Sequence, residues 1–232
     1  MEKYTYLLLD ILTILFPLLF SFVPRENFSK KWKYLWPAIL IPAIIFIVWD
    51  EFFTQIGVWG FNTRYLSGIY FFHLPIEEIL FFICIPYACV FTYEAVNYLR
   101  KAEVFPDNGK RLTWVLILGL LVVGIKHYDK WYTSVTFLST SLFLIFLITV
   151  VKPKYLGRFY FAYLFILIPF FIVNGILTGT AIEEPVVWYN NAENLGIRIM
   201  TIPFEDTFYG MLLILMNVSI FEALQKRSTS LT

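Results

Sequence analysis

Residues 75–98 read PIEEILFFICIPYACVFTYEAVNY: a proline, an apolar residue, two acids, then an apolar run long enough to cross a bilayer. Residues 203–224, PFEDTFYGMLLILMNVSIFEAL, repeat the plan. Pro75-Ile76-Glu77-Glu78 falls on Pro203-Phe204-Glu205-Asp206 at an offset of 128 residues. At the same offset Gly68 meets Gly196, and Glu94-Ala95 meets Glu222-Ala223. With small gaps, Trp59-Gly60-Phe61-Asn62 falls on Trp188-Tyr189-Asn190-Asn191, and Thr54 on Thr178. An ordered series of matches marks a duplicated unit.

Outward from these segments, further apolar runs lie at 4–23, 35–53, 112–127, 133–151 and 159–178, each near the ~20 residues a span needs. The run at 112–127 is the shortest. Pro17, Pro42, Pro86 and Pro169 fall inside the runs and predict kinks, which bundle neighbours accommodate in a membrane. The expectation is an all-α polytopic membrane bundle of about seven helices forming one domain over 1–232. Repeat one covers 4–99, a linking helix 110–128 and repeat two 133–225. Composition agrees, with 59% hydrophobic residues, 20% aromatic and 15% charged. A net charge of +1 gives no footprint for nucleic acid. The run at 4–23 reads as a retained span and not a cleaved leader. Cys84 and Cys89, five apart in an apolar run, read as packing residues.

A three-helix unit is odd, so direct duplication would invert its second copy; one linking helix restores the direction. Both acidic motifs then start their helices at the same membrane face, as in parallel-repeat membrane proteins. Basic residues set the orientation. Thirteen of them (Arg25, Lys30, Lys31, Lys33, Arg100, Lys101, Lys110, Arg111, Lys152, Lys154, Arg158, Lys226 and Arg227) collect on one side. Five (Lys3, Arg64, Lys126, Lys130 and Arg198) collect on the other. This split predicts an outside N-terminus and a cytoplasmic C-terminus. The long connections at 54–75 and 179–203, rich in Gly, Asn and aromatics, fall on the outer side with the acids.

Proline followed by acids in a first turn is an ordinary helix start. Two such starts at one face crowd Glu77, Glu78, Glu205 and Asp206 where water is scarce. Desolvation and like charge then favour a retained proton on one of them, which is what a general acid needs. Asp10, two turns into the first span, is too deep for easy solvation and reads as functional or hydrogen-bonded to a neighbour. Asp50 and Glu51 end the second span and point to the same pocket, with Trp59, Asn62, Trp188 and Asn191 as supporting loop residues. His73, two residues before the first motif, is a candidate proton shuttle, although Thr201 stands at its place in the second copy. Phe61, Tyr65, Phe71, Phe72 and Tyr189 join Trp59 and Trp188 as aromatics able to face a cation or to form an interfacial belt. Glu183 and Glu184 read as loop surface. Glu94 and Glu222 belong to the far end, paired with Arg100 or Lys226. The two histidines form no metal array, and neither a dinucleotide fingerprint nor a P-loop occurs. Metal, flavin, nicotinamide and nucleotide cofactors are therefore not expected.

At Pro75-Ile76-Glu77-Glu78 and Pro203-Phe204-Glu205-Asp206, on a plan of three, one and three helices, the chain resembles the membrane-integral, non-flavin lycopene cyclases. The resemblance runs from the region of Asp10 to Glu222. In that family the two halves are separate subunits in some bacteria and fused in others, including the cyclase half of fungal phytoene synthase/lycopene cyclase proteins. It implies cyclisation of linear carotenoid ends to β-ionone rings, from lycopene to γ- and then β-carotene, without net redox change. It also implies a linear carotenoid taken from the bilayer as partner, with membrane lipid and other carotenoid enzymes around it. The setting implied is a bacterial inner (cytoplasmic) membrane. The second motif ends in Asp206 where the first has Glu78, so the copies need not act alike.

Other readings stay open at this level. One is a parallel-repeat transporter using the acids as a proton relay, which calls for a water-lined route open at both faces. Another is a related cyclase making different rings. A non-catalytic retinal binder would need a lysine deep in the seventh span, and none is there.

Overall fold

The computed structural model describes residues 2–23, 27–99 and 108–229. Arg25, Arg100 and Lys101, counted in the charge split, lie outside the described residues. The helices are α1 (Thr5–Phe20), α2 (Trp32–Gln55), α3 (Ile76–Leu99), α4 (Asn108–Lys126), α5 (Trp131–Phe146), α6 (Leu156–Leu177) and α7 (Phe204–Thr229). A π-helical turn, Leu147–Val151, extends α5. Among the described residues, six stretches containing α1, α2, α3, α5, α6 and α7 are long and apolar enough to cross a membrane. The protein is therefore a membrane bundle. In α4, Lys110 and Arg111 near one end and Lys126 at the other leave a shorter apolar stretch between them.

Proline does not break these helices. Pro17, Pro37, Pro42, Pro86 and Pro169 all sit inside helical segments, where packing against neighbours covers the freed backbone groups. Buried polar side chains tie the helices together. Asn217 of α7 donates to the Ala38 carbonyl of α2 at 2.8 Å. The Tyr163 hydroxyl of α6 donates to the Thr207 carbonyl of α7 at 2.6 Å. Such bonds supply specificity where lipid gives no hydrophobic contrast.

The pairing of helices follows the duplication. α1 packs on α3 as α5 packs on α7, and α2 packs on α7 as α3 packs on α6. The central helices of each half thus lie against those of the other, while α4 lies outside on α5 and α6.

Three two-stranded ribbons gather at the acidic end. β2 (Tyr70–Phe71) pairs antiparallel with β3 (Leu74–Pro75), and β5 (Arg198–Ile199) with β6 (Ile202–Pro203). These hairpins correspond residue for residue at the offset of 128, down to left-handed Phe72 (φ 55°) and Met200 (φ 58°). β1 (Trp59–Phe61) pairs antiparallel with β4 (Val187–Tyr189) and joins the two long connections directly. Pro75 and Pro203 are therefore brought to one face of the bundle.

The helix ends revise one match. Gly57 (φ 74°) and Gly179 (φ 112°) close α2 and α6 in the left-handed conformation that glycine tolerates. Beside them the Val58 N–H donates to the Phe53 carbonyl at 2.9 Å and the Thr180 N–H to the Gly175 carbonyl at 2.7 Å. Thr54 consequently corresponds to Ile176 and not to Thr178, because the loops beyond have different lengths.

Candidate active site

The second acid of each motif lines a chamber that the first does not. The chamber has a volume of about 530 Å³; Asp50, Glu78 and Asp206 are its carboxyls, and Tyr6, Trp59, Tyr132, Tyr163, Tyr189 and Tyr209 are among its aromatic walls. Glu77 and Glu205 are fully buried outside it. Glu77 Oε1 accepts the Ser67 backbone N–H at 2.7 Å, and Glu205 Oε1 accepts the Leu195 N–H at 2.8 Å. Glu205 Oε1 also accepts from the Thr133 hydroxyl at 2.6 Å. With Ile76 and Phe204 donating to the Ile69 and Ile197 carbonyls, both at 2.9 Å, these bonds clamp each loop onto the start of its helix.

The chamber carboxyls are held differently. Tyr6 donates its hydroxyl to Glu78 Oε2 at 2.5 Å. Asp206 accepts at both oxygens, from the Tyr132 hydroxyl and, at 3.0 Å, from the Tyr189 hydroxyl. The Tyr132 and Tyr189 rings stack at 5.7 Å, which fixes both donors. Burial first, and then the Asp206 carboxylate, push the Tyr189 phenol well above its ordinary pKa, so it stays a donor. Asp50 Oδ1 accepts the Trp59 indole N–H at 2.5 Å, while its buried Oδ2 has no hydrogen-bond partner. A neutral carboxylic acid tolerates that burial far better than a carboxylate.

Below this acidic head the walls are apolar. The lining follows α3 from Glu78 to Thr92, about 21 Å at ~1.5 Å per residue. Leu12 and Phe16 of α1 and Ile172 of α6 line the chamber and are also more than half exposed. The chamber therefore opens sideways between α1 and α6, on the apolar outer surface. At the head it is roofed by strand residues Trp59 and Phe61 of β1 and Val187 and Tyr189 of β4.

The remaining expected residues fall elsewhere. Asp10 is buried one turn along α1 from Tyr6, with Oδ2 unpartnered, and is not on the chamber wall. His73 and Glu51 meet each other, Nδ1 to Oε1 at 2.5 Å, on the outer rim, and neither lines the chamber. Asn62 caps a turn by accepting the Arg64 N–H at 3.1 Å and reaches Glu184 at 2.9 Å. Asn191 accepts from Arg198 at 2.7 Å. Trp188 lies over Gly60, where a Cβ would come within 2.3 Å of its ring. Glu183 pairs with Arg64 at 2.7 Å. At the opposite end, Glu94 is paired by Lys31, and Glu222 by Arg158 at 3.3 Å and by the Tyr93 hydroxyl at 2.5 Å. Lys31 and Arg158 come from the starts of α2 and α6 and Tyr93 from α3, while Arg100, the expected partner of Glu94, lies outside the described residues.

Sequence reasoning passed over Tyr6 and Tyr132. Each lies in the first turns of the first helix of its repeat, and that shared placement was the available signal. Among the described residues, no group of three or more His, Cys, Asp or Glu converges as a metal-binding set.

No curated protein and no solved structure matches the chain. The family model described as Lycopene cyclase matches residues 3–96 and again residues 129–224, one match on each half. With most of its length matched in two successive copies, the chain belongs to the lycopene cyclase family.

Proposed function

We propose that the chain is a lycopene β-cyclase, an intramolecular lyase or isomerase that closes the linear ends of lycopene into β-ionone rings by way of γ-carotene. The observation that carries this reading is a chamber with three carboxyls at its roofed head and apolar walls opening sideways toward lipid. A long hydrocarbon dissolved in the bilayer can slide in end first and bring its terminal double bond to the acids.

Glu78 is the donor in this mechanism. Tyr6 holds Oε2 and leaves Oε1 free to present a proton to the terminal C=C. Protonation breaks that π bond and leaves a tertiary cation. The neighbouring double bond attacks it, forming the ring C–C bond and moving the positive charge into the ring. Asp206, ionised between Tyr132 and Tyr189, stabilises the charge and takes up the ring proton. The faces of Trp59 and Tyr209 add cation–π attraction. Asp50 is the third acid: it gives its proton to Glu78 and takes back the one that Asp206 collected, which resets all three carboxyls for the next turnover. One proton enters and one leaves, so the product is an isomer of the substrate.

Glu77 and Glu205 act as positioning residues that hold the loops over the head. The enzyme sits in a bacterial cytoplasmic membrane with the acidic head outside and the C-terminus in the cytoplasm, as the distribution of basic residues supports. The roofed head and apolar walls speak against a transporter, which needs a wet route to both faces. The test is expression in lycopene-accumulating bacteria: yellow β-carotene is the expected pigment, and unchanged lycopene would reject the reading.

A further inference from the structure

A second cavity, of about 390 Å³, lies on the outer rim against the roof of the chamber. Trp59 and Phe61 of β1 line both spaces, so one layer of side chains separates them. The other rim walls include Thr54, Tyr70, His73 and Trp188. Thr54 and Asp50 stand one turn apart on the same face of α2, about 6 Å along its axis. Asp50 lines the chamber and Thr54 the rim cavity, and the Trp59 ring between the two spaces gives its N–H to Asp50 Oδ1. Each of the two residues carries a buried oxygen with no hydrogen-bond partner, Asp50 Oδ2 on one side and Thr54 Oγ1 on the other. Oxygens placed in this way suit water. At the mouth, exposed His73 is held by Glu51, the chain neighbour of Asp50. The Glu51 carboxyl takes the His73 ring Nδ1 at 2.5 Å and its backbone N–H at 3.1 Å.

We propose that the rim cavity is a proton port: water entering past His73 and Glu51 exchanges protons with Asp50 by way of Thr54, with Trp59 as the gate. The inference rests on the cyclase reading, in which a proton passes from Glu78 through the substrate to Asp206 and returns by Asp50. A chamber open only toward lipid would put the hydrogen lost by one ring into the next. The rim cavity opens that circuit to the aqueous phase. The exchange balances, because Asp50 gives one proton and receives one. The Thr54 hydroxyl donates one hydrogen as it accepts another, so no group changes charge. An indole N–H is a donor only and does not carry protons onward. Trp59 therefore acts by moving aside, and its bond to Asp50 holds it shut between exchanges. His73 and Glu51 supply a pair at the mouth that takes up and releases protons near neutral pH.

The test is cyclisation of lycopene in deuterium oxide by the full-length Thr54→Cys protein in phospholipid vesicles. It is run before and after the new thiol is capped with a bulky, charged methanethiosulfonate that does not cross membranes. Mass spectrometry of the product reads the deuterium in each ring, and the parent protein treated alike controls for Cys84 and Cys89. Three results are expected: the reagent reaches position 54 from water, the uncapped enzyme places one solvent deuterium in nearly every ring, and capping lowers that content several-fold while rings still form. Rings free of deuterium before capping, a thiol that resists the reagent, or unchanged deuterium after full capping would each overturn the proposal. Capping that stops ring closure altogether would also overturn it, by making the cavity part of the substrate site. His73→Phe gives the same comparison without a reagent should Thr54→Cys not fold: deuterium should again fall several-fold, and a content equal to the parent's counts against the port. Absence of any ring-containing product from the parent protein would instead reject the cyclase reading, so the two failures are distinguishable.

Discussion

The Tyr6 hydroxyl donates to Glu78 at 2.5 Å across 72 positions of sequence, joining the first helix of the chain to the first acidic motif. Its counterpart, Tyr132, donates to Asp206, whose second oxygen is taken by Tyr189. This unequal provision of donors underlies the assignment of acid and anion.

Exchanging the acids for amides should separate their roles. Glu78→Gln removes the transferable proton and should lower the cyclisation rate about 10²–10⁴-fold with the protein still folded. Glu77→Gln keeps an oxygen to accept the Ser67 N–H and should stay within about tenfold of the parent. Glu77→Ala leaves that part-buried N–H without its acceptor and should cost about 1 kcal/mol or more of stability. Product formation in vesicles and thermal unfolding in detergent check the two effects separately.

At Asp50 the indole bond allows a clean substitution. Asp50→Asn retains an oxygen for the Trp59 N–H and so preserves the packing. It should slow repeated turnover by at least about tenfold while leaving the first ring closure on each enzyme much less affected. Rapid-quench measurement of the first turnover against the steady rate reads this. Equal loss in both phases would remove Asp50 from the reset step.

Removing the donors around Asp206 should act in steps. Tyr132→Phe or Tyr189→Phe alone should cost roughly tenfold, about what losing one hydrogen bond to a charged group implies. The double variant should cost more than either. If the pair behaves like the parent, Asp206 does not act as a hydroxyl-stabilised anion.

Gly210 offers a test of the chamber itself. It lies on the wall, and a Cβ there would meet Phe170 Cε2 at 3.3 Å. Gly210→Leu should fill the slot and abolish most activity, whereas Gly119→Leu, where nothing lies within 4 Å, should be silent. Activity and folded yield of the two variants, measured side by side, distinguish a blocked site from general damage.

Much of this architecture could be read from residues alone. Spans as apolar as α3 and α7 declare themselves, and a motif repeated at a constant offset fixes their common direction. The sequence could not separate Glu77 from Glu78. Adjacent positions on a helix differ by about 100° in direction, and only the loop that returns to donate a backbone N–H to one of them decides which faces inward. Asp50 was legible as a neighbour of the site, but its place on the wall depends on Trp59 reaching back to hold it. His73 and Glu51 misled because nearness along the chain is not nearness to the chamber; they satisfy each other on the rim, where His73 lines a separate pocket beside Trp59. The side opening was illegible for a different reason. It is framed by Leu12 and Phe16 of α1 and Ile172 of α6, residues far apart in sequence that only the packed bundle brings together.

The crossed pairing of α2 with α7 and of α3 with α6 makes each copy the missing wall of the other. Neither half encloses a hydrocarbon by itself, because the chamber draws its carboxyls from both. Any ancestor with a single copy would have had to work as a pair, and a mutation that loosens one half's central helices should unseat the acid belonging to its twin.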